Sequence, residues 1–337
     1  MMAKHVAVLM GGWSGEREVS LVSGAAINDA LKNAGYKVTT IDMGRDIGAL
    51  LPKLSPRPDV VFNALHGRYG EDGCVQGLLE ILNIPYTHSG VIASALAMNK
   101  PMAKKVFESV GIRCAPGEIV SRDVALKRDV MRRPYVVKPL NEGSSLGVRI
   151  VTKNDEARPF AHAAWPYGDE VLVERYIPGR EITVAVMGDR ALGALELRPH
   201  SGFYDYDAKY SSDPNRAAEH VVPAPLAKSA YKEVLSLALR AHRALGCRGV
   251  SRADFRYDDT KRKGSRKAGR FYLLEVNTQP GMTPRSLVPE IAADSGISFQ
   301  QLVVWRMPVL VHDQPQHHRT LVLGLAGLFR VLGIGRG

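Results

Sequence analysis

The opening of the chain most constrains its fold, because a short apolar segment is followed by an amphipathic one and then by a second apolar segment. Residues 6–10 are apolar and end at a glycine pair, which predicts a buried strand. Residues 17–34 predict a helix, and residues 37–42 predict a second strand. Another apolar strand is predicted at 59–65. This alternation is typical of a βα unit that opens a parallel sheet, so the chain begins with an α/β domain.

The remainder of the chain predicts a mixture of helices and antiparallel strands. Two strands at 135–138 and 148–151 flank a turn rich in Gly and Ser, which indicates a hairpin. Further strands are predicted at 170–175, 181–187, 249–257 and 271–276, and helices at 97–110 and 226–245. At about 150 residues per domain, 337 residues correspond to about two domains, and three smaller ones would also fit.

The chain is basic, with a net charge of +11, but the charge is concentrated in two segments. Residues 258–270 and 306–337 together carry seven of the eleven excess positive charges. A nucleic-acid-binding protein is the alternative that such a charge suggests, and it would interleave aromatic side chains with the basic ones. The segment 258–270 contains no aromatic residue, so we expect a solvated hairpin and no nucleic-acid partner.

Cysteine usage and hydropathy restrict the cellular setting. The three cysteines, Cys74, Cys114 and Cys247, are at least 40 residues apart, which excludes a metal knuckle or a disulfide framework. Free thiols are typical of a reducing cytoplasm, where we expect this protein. The longest apolar run away from the N-terminus, residues 321–329, is too short to span a bilayer, so no stable membrane insertion is expected.

Three oxygen-bearing side chains predict a metal site. Glu275 and Asn277 are two residues apart at the end of an apolar strand, so both point to the same face. An adjacent strand could bring Asp254 beside them. Two carboxylates and an amide suit Mg²⁺, which takes oxygen ligands from protein, phosphate and water. The alternative for these residues is a solvated strand end.

A Gly-rich turn and two lysines indicate phosphate binding. Residues 142–147 offer consecutive backbone N–H groups, which can cradle phosphate oxygens, although most such turns are plain hairpins. Lys138 lies on the strand that enters the turn, and Lys100 begins the preceding helix. Neither a Walker sequence nor a dinucleotide-binding G-x-G-x-x-G is present, which excludes a P-loop protein and disfavours a dinucleotide enzyme.

Together these features resemble the ATP-grasp superfamily and, within it, the D-alanine–D-alanine ligase family. Five ordered segments between residues 4 and 305 carry the resemblance: 10–20, 64–73, 137–147, 203–210 and 274–283. The resemblance implies an α/β (α+β) fold in which a Rossmann-like parallel-sheet domain precedes two α+β subdomains that clasp ATP. The implied boundaries are 1–95, 96–183 and 184–310, with an atypical tail at 311–337 that we expect to be disordered.

The resemblance also implies an activity. ATP and two D-alanine molecules would give D-alanyl-D-alanine, ADP and phosphate through a D-alanyl phosphate, for peptidoglycan synthesis. Two Mg²⁺ or Mn²⁺ ions and a homodimer are implied, and activation by a monovalent cation such as K⁺ is left open. The alternative enzyme is another ATP-grasp ligase that joins a different amino or hydroxy acid.

Individual roles follow from the resemblance. Metal ions would be held by Asp254, Glu275 and Asn277. ATP would contact Lys100, Lys138, Glu142, Ser144, Ser145, Glu174, Tyr176, Ile177, Glu181, Phe203, Lys209 and Asn277. Substrate binding and catalysis would fall to Glu16, His66, Ser144, Lys209, Tyr210, Arg252, Gly281, Ser286 and Leu287.

Several of these roles are specific. Glu16 would bind the ammonium of the first D-alanine, although a helix-start carboxylate favoured by the helix dipole is the alternative. Arg252 and the N–H of Gly281 would stabilise an oxyanion. Ser286 and the N–H of Leu287 would hold the second carboxylate. Tyr210 favours the dipeptide, because family members that make D-alanyl-D-lactate tend to carry Phe there. Without the resemblance, His66 would be interpreted as structural, and Glu174 and Glu181 as surface charges.

Overall fold

The structure of the protein is a computed structural model that describes residues 3–143, 146–153, 165–199, 218–260 and 269–305. Outside the described residues lie the predicted site residues Ser144, Ser145, Phe203, Lys209 and Tyr210, most of the basic segment 258–270, and the tail from residue 306.

The N-terminal part is a parallel sheet, as the alternation of strands and helices predicts. It contains β1 (His5–Gly11), α1 (Arg17–Asn33), β2 (Lys37–Met43) and β3 (Val60–Asn63), in the strand order β2-β1-β3. The central strand β1 is almost wholly buried, which explains its unbroken apolar run. Helix α2 (Ile47–Lys53) lies between β2 and β3, and α3 (Cys74–Ile81), α4 (Val91–Met98) and α5 (Lys100–Ser109) follow β3.

The helix predicted over 97–110, with Lys100 and Pro101 at its start, is confirmed from Lys100 onward. Residues 97 and 98 belong to α4, because a break at Asn99 separates the two helices. Asn99 has extended backbone angles, and its side chain accepts a hydrogen bond from the N–H of Met102 at 3.1 Å. Asn99 therefore caps a new helix, whose first residue is Lys100 and whose second is a proline. The break determines the position of Lys100 at the start of α5.

The middle of the chain forms a four-stranded antiparallel sheet in the order β4-β7-β5-β6. Its elements are β4 (Gly117–Ser121), α6 (Arg122–Lys127), β5 (Tyr135–Lys138), β6 (Arg149–Val151) and β7 (Glu170–Arg175). Strands β5 and β6 pair antiparallel, which confirms the predicted hairpin around the Gly-rich turn.

The C-terminal part of the described chain forms a five-stranded antiparallel sheet in the order β10-β9-β8-β11-β12. Its elements are β8 (Arg180–Met187), β9 (Arg190–Arg198), β10 (Glu219–Val221), α7 (Lys228–Ala244), β11 (Val250–Asp258), β12 (Arg270–Asn277), α8 (Leu287–Asp294) and α9 (Phe299–Val304). The chain passes from one sheet to the next between Arg175 and Arg180, so the predicted boundary at residue 183 falls inside β8.

One apolar core joins the parallel sheet to the five-stranded sheet. Its fully buried members include Val6 and Ile27 from the first domain, Leu195 from β9 and Ile291 from α8. Burial of such side chains contributes about 1.5–3 kcal/mol each. The shared core therefore fixes the relative position of the two sheets, and with it the cavity between them. In the part of the chain that the structure describes, no helix has the length and apolar character needed to cross a membrane.

Candidate active site

Strands β11 and β12 carry four polar side chains as two cross-strand pairs. Asp254 lies opposite Glu275, and Arg252 lies opposite Asn277. Directly opposed residues in an antiparallel pair share a face, as do residues two apart on one strand. The predicted approach of Asp254 to Glu275 is therefore confirmed.

Positive charges neutralise both carboxylates of this group. Arg252 donates to Asp254 from Nε (3.0 Å to Oδ1) and from Nη2 (2.8 Å to Oδ2), and Thr183 Oγ1 donates to Asp254 Oδ1 at 2.8 Å. Lys100 Nζ lies 3.6 Å from Glu275 Oε2 and donates to the carbonyl oxygen of Glu142. Burial lowers the pKa of Lys100, with Lys138 acting in the same direction and Glu275 opposing it. The Lys100 ammonium therefore lies beside the Glu275 carboxylate.

The same strands offer a donor set that fits a magnesium ion. Carboxylate oxygens of Asp254 and Glu275 and the amide oxygen of Asn277 are the hard ligands that Mg²⁺ prefers. The Oδ1 atom of Asn277 accepts from the N–H of Gln279 at 2.7 Å, which orients the amide. Over the described ranges, no three His, Cys, Asp or Glu side chains are grouped so as to hold a metal. A metal here would therefore need the amide and external oxygens such as phosphate.

A cavity of about 110 Å³ lies between the four-stranded and five-stranded sheets. It is lined by most of the predicted ATP-binding residues that the structure describes, namely Lys100, Lys138, Glu142, Glu174, Tyr176, Ile177 and Glu181. Asp254 and Arg256 also line it, and the Arg256 guanidinium donates to the carbonyl oxygens of Ile177 (3.1 Å) and Gly179 (2.6 Å). Arg256 therefore fixes the segment that connects the two sheets. Sequence reasoning missed it.

Glu174 is buried in the wall of this cavity between two lysines. Lys138 Nζ lies 2.5 Å from its Oε2, and Lys104 Nζ donates to its Oε1. Burial alone would raise the pKa of Glu174, but the charges and hydrogen bonds of Lys138 and Lys104 outweigh it and lower the pKa. The carboxylate is therefore ionised. Lys104 was not among the predicted site residues, since a helical lysine carries no local signal of burial.

A second cavity, of about 490 Å³, lies between the first domain and the five-stranded sheet. It is lined by the predicted substrate residues that the structure describes: Glu16, His66, Arg252, Gly281, Ser286 and Leu287. Lys100, Glu142 and Glu275 line both cavities, so the two meet at these residues. A group bound in one cavity can therefore contact a group bound in the other.

His66 lines the larger cavity and is paired with Glu71. Its Nδ1 lies 2.9 Å from Glu71 Oε1, while its Nε2 has no hydrogen-bond partner among the described residues. Burial, the largest single influence, lowers the pKa of His66, but the hydrogen bond and charge of Glu71, with the charge of Glu16, outweigh it and raise the pKa. When protonated, His66 can donate from Nε2 to an anion in the cavity. Sequence reasoning missed Glu71, five residues further along the chain.

Three backbone segments converge on Glu16, which is 5 % exposed. Ser14 Oγ accepts from the N–H of Glu16 at 3.2 Å and donates to the carbonyl oxygen of His66 at 2.7 Å. A Cβ at Gly67, whose φ is +69°, would come within 2.9 Å of Glu16 Oε2, and one at Gly143 within 3.0 Å. Glycine is thus required at Gly67 by both backbone and space.

The start of α8 forms a polar turn that lines the larger cavity. Ser286 Oγ accepts from the N–H of Thr283 at 2.9 Å and lies 2.8 Å from Thr283 Oγ1. Ser286 is the N-cap of α8, so the N–H of Leu287 belongs to the first turn, where backbone donors lack helical partners. This arrangement suits a carboxylate.

Gln279, which sequence reasoning also missed, connects the two walls of the larger cavity. Its Oε1 accepts from Asn63 Nδ2 at 2.7 Å, and its Nε2 donates to the carbonyl oxygen of Leu65. Its backbone orients Asn277, and Leu65 immediately precedes His66. The side chain is 1 % exposed. The buried amide therefore couples the predicted metal ligand to the loop that carries His66.

One cavity, between the two antiparallel sheets, meets a second, between the parallel-sheet domain and the five-stranded sheet, beside two strands that carry carboxylates. This arrangement is that of an ATP-grasp protein. Comparison with known families agrees: the model described as "D-ala D-ala ligase C-terminus" matches residues 106–306, and that described as "D-ala D-ala ligase N-terminus" matches residues 47–89. The chain belongs to the D-alanine–D-alanine ligase family.

Individual relatives are similar over most of their length. A D-alanine–D-alanine ligase of Rhodospirillum rubrum is 56% identical over 305 residues, which cover 90% of this chain and 97% of that protein. A D-alanine–D-alanine ligase of Parvibaculum lavamentivorans is 57% identical over 305 residues, with 90% and 96% covered. The crystal structure of a Bacillus anthracis D-alanine–D-alanine ligase complexed with ATP has a TM-score of 0.73 at 31% identity, with 90% and 95% covered. The VanG D-Ala:D-Ser ligase of Enterococcus faecalis has a TM-score of 0.75 at 27% identity, with 92% and 100% covered.

Proposed function

We propose that the protein joins two D-alanine molecules into D-alanyl-D-alanine with conversion of ATP to ADP and phosphate, for peptidoglycan synthesis. The observation that carries this proposal is the junction of the two cavities at Lys100, Glu142 and Glu275. A carboxylate bound in the larger cavity can reach a γ-phosphate extending from the smaller one only where the two meet. Membership of the family supplies the identity of the substrate.

In the first half-reaction, the carboxylate of the first D-alanine attacks the γ-phosphorus and gives D-alanyl phosphate and ADP. Lys100 and Lys138 bind and orient the phosphates, and positioned cations of this kind are the main source of catalysis in phosphoryl transfer. Mg²⁺ or Mn²⁺ at Asp254, Glu275 and Asn277, two ions in this proposal, would neutralise phosphate charge. Glu16 binds the ammonium of the first D-alanine, and His66 binds negative charge nearby.

In the second half-reaction, the amine of the second D-alanine attacks the acyl carbon, and phosphate leaves as the peptide bond forms. Arg252 and the N–H of Gly281 stabilise the oxyanion of the tetrahedral intermediate. Ser286 and the N–H of Leu287 hold the second carboxylate, which orients the amine. Water must be excluded from the acyl phosphate, which it would otherwise hydrolyse. A homodimer, a cytoplasmic location and K⁺ activation complete the proposal as further predictions.

The test is ADP release by the purified protein with MgATP and a panel of acceptors, with the product identified by mass. The panel contains D-alanine, L-alanine, D-serine with D-alanine, D-lactate with D-alanine, and no acceptor. We expect ADP only when D-alanine is present, with D-alanyl-D-alanine as the product. A mixed product formed in preference to D-alanyl-D-alanine would show that the second substrate is D-serine or D-lactate. ADP release with L-alanine alone would contradict the proposal.

A further inference from the structure

Lys104 is a buried lysine that lines neither cavity but contacts two residues in the wall of the smaller one, where the nucleotide would bind. Lys104 is 8 % exposed and lies one helical turn after Lys100 on α5, so both point to the same side of that helix. Lys100 lines the cavity, whereas Lys104 does not. Its Nζ donates to the carbonyl oxygen of Ala115 at 2.5 Å and to Oε1 of Glu174, two residues that do line it.

The two lysines that contact Glu174 differ in whether they also face the cavity. Among the described residues, Glu174 has two lysine partners, of which Lys138 also faces the space that the nucleotide would occupy and Lys104 does not. If Lys138 bound a phosphate, its interaction with Glu174 would weaken. A buried carboxylate that loses its counter-ion is strongly destabilised. Lys104 can retain its interaction throughout, because it is not exposed to the nucleotide.

We propose that Lys104 is a positioning residue for nucleotide binding: it holds the Glu174 carboxylate in place and releases Lys138 to bind the phosphates. The inference rests on the proposed function in that the ligand is ATP. Lys104 acts through Glu174 and touches no substrate. Lys104 is thus the fixed counter-ion of Glu174, and Lys138 is the phosphate ligand.

The experiment measures MgATP binding by isothermal titration calorimetry without D-alanine. Replacement of Lys104 by methionine keeps the length of the side chain and removes its charge. Glu174 then has Lys138 as its remaining lysine partner and competes with the phosphates for it. Because a hydrogen bond to a charged group has a substantial net worth, we expect Lys104→Met to raise the Kd for MgATP about tenfold to a hundredfold. We expect kcat at saturating ATP to change far less than KM for ATP.

The neighbouring lysine provides a matched control. Lys105 is on the same helix and is exposed, and Lys105→Met makes the same chemical change. We expect this control to bind MgATP like the unsubstituted protein. Equal Kd values for Lys104→Met and Lys105→Met would overturn the proposal.

A double-substitution cycle separates positioning from a general structural role. In Glu174→Gln the neutral amide needs no counter-ion, so adding Lys104→Met should change the Kd by about twofold or less. If the effects of the two substitutions simply add, Lys104 does not act through Glu174 and the proposal fails. Should Lys104→Met alone not fold, the double variant, which has lost both charges, still gives this comparison with Glu174→Gln.

The acceptor panel described above tests the ligase activity independently. A wild-type protein that binds MgATP but forms no dipeptide would contradict the proposed function and leave the Lys104 cycle interpretable. Conversely, normal dipeptide synthesis with additive Kd effects would contradict only the positioning role.

Discussion

Substitution of Gln279 by leucine is a sharp test of how the two walls of the substrate cavity are held together. The side chain is buried and bonds with Asn63 and with the carbonyl oxygen of Leu65. Leucine is close to glutamine in size but can neither donate nor accept a hydrogen bond. One N–H of Asn63 and the carbonyl oxygen of Leu65 would therefore lose their partners in a site without solvent.

The magnitude follows from these two orphaned groups. Each buried polar group that loses its partner costs about 1–3 kcal/mol, so Gln279→Leu should lower the free energy of unfolding by about 2–6 kcal/mol. The apolar burial of leucine offsets part of this loss, which favours the lower half of that range. Leu65 precedes His66, and the side chain of Gln279 anchors the backbone N–H that orients Asn277. We therefore also expect kcat/KM for D-alanine to fall by about tenfold or more.

Two assays check this expectation together: chemical denaturation followed by tryptophan fluorescence, and steady-state ADP release with varied D-alanine. Gln300→Leu is the matched control, because Gln300 is an exposed residue of α9. If Gln279→Leu were as stable and as active as Gln300→Leu, the two walls would not be coupled through this amide. A loss of stability with unchanged kcat/KM would refute the catalytic part of the reasoning alone.

Three further results are expected. Glu71→Gln should lower the pKa of His66, as an NMR titration of the ring would show. The pKa of His66 in the folded protein is raised above the ordinary 6.5. The stability that Glu71 provides should therefore be greatest below pH 6.5 and decline as the pH rises through the folded-state pKa. Ser286→Ala should raise KM for the second D-alanine about fivefold with little change in KM for ATP, since it removes one hydroxyl at the α8 turn. Arg256→Met should raise KM for ATP about threefold to tenfold by loosening the segment between the two sheets, as initial-rate kinetics would measure. An unchanged KM for ATP would show that the contacts of Arg256 with this segment do not affect nucleotide binding.

The elements that the sequence predicted best are those whose pattern is local. The buried strand β1, the hairpin of β5 and β6 and the strand pair β11 and β12 each follow from an apolar period together with turn residues. The helix start at Lys100 was predicted, but the range 97–110 ran across the end of α4, because the capping side chain of Asn99 interrupts an otherwise continuous helical pattern. Local periodicity alone does not distinguish one long helix from two that meet at a cap.

By itself, the sequence determined which chemistry-bearing residues this protein would place at strand ends and turns, because spacing along a strand decides which side chains share a face. Only the tertiary structure decided their partners. Lys104 and Glu174 are 70 residues apart, and Asn63 and Gln279 are 216 apart. Such contacts arise where the sheets pack against one another, and no periodicity along the chain encodes them. The residues that line the two cavities were therefore predictable from motifs, whereas the buried groups that contact them appeared only once the sheets were packed together.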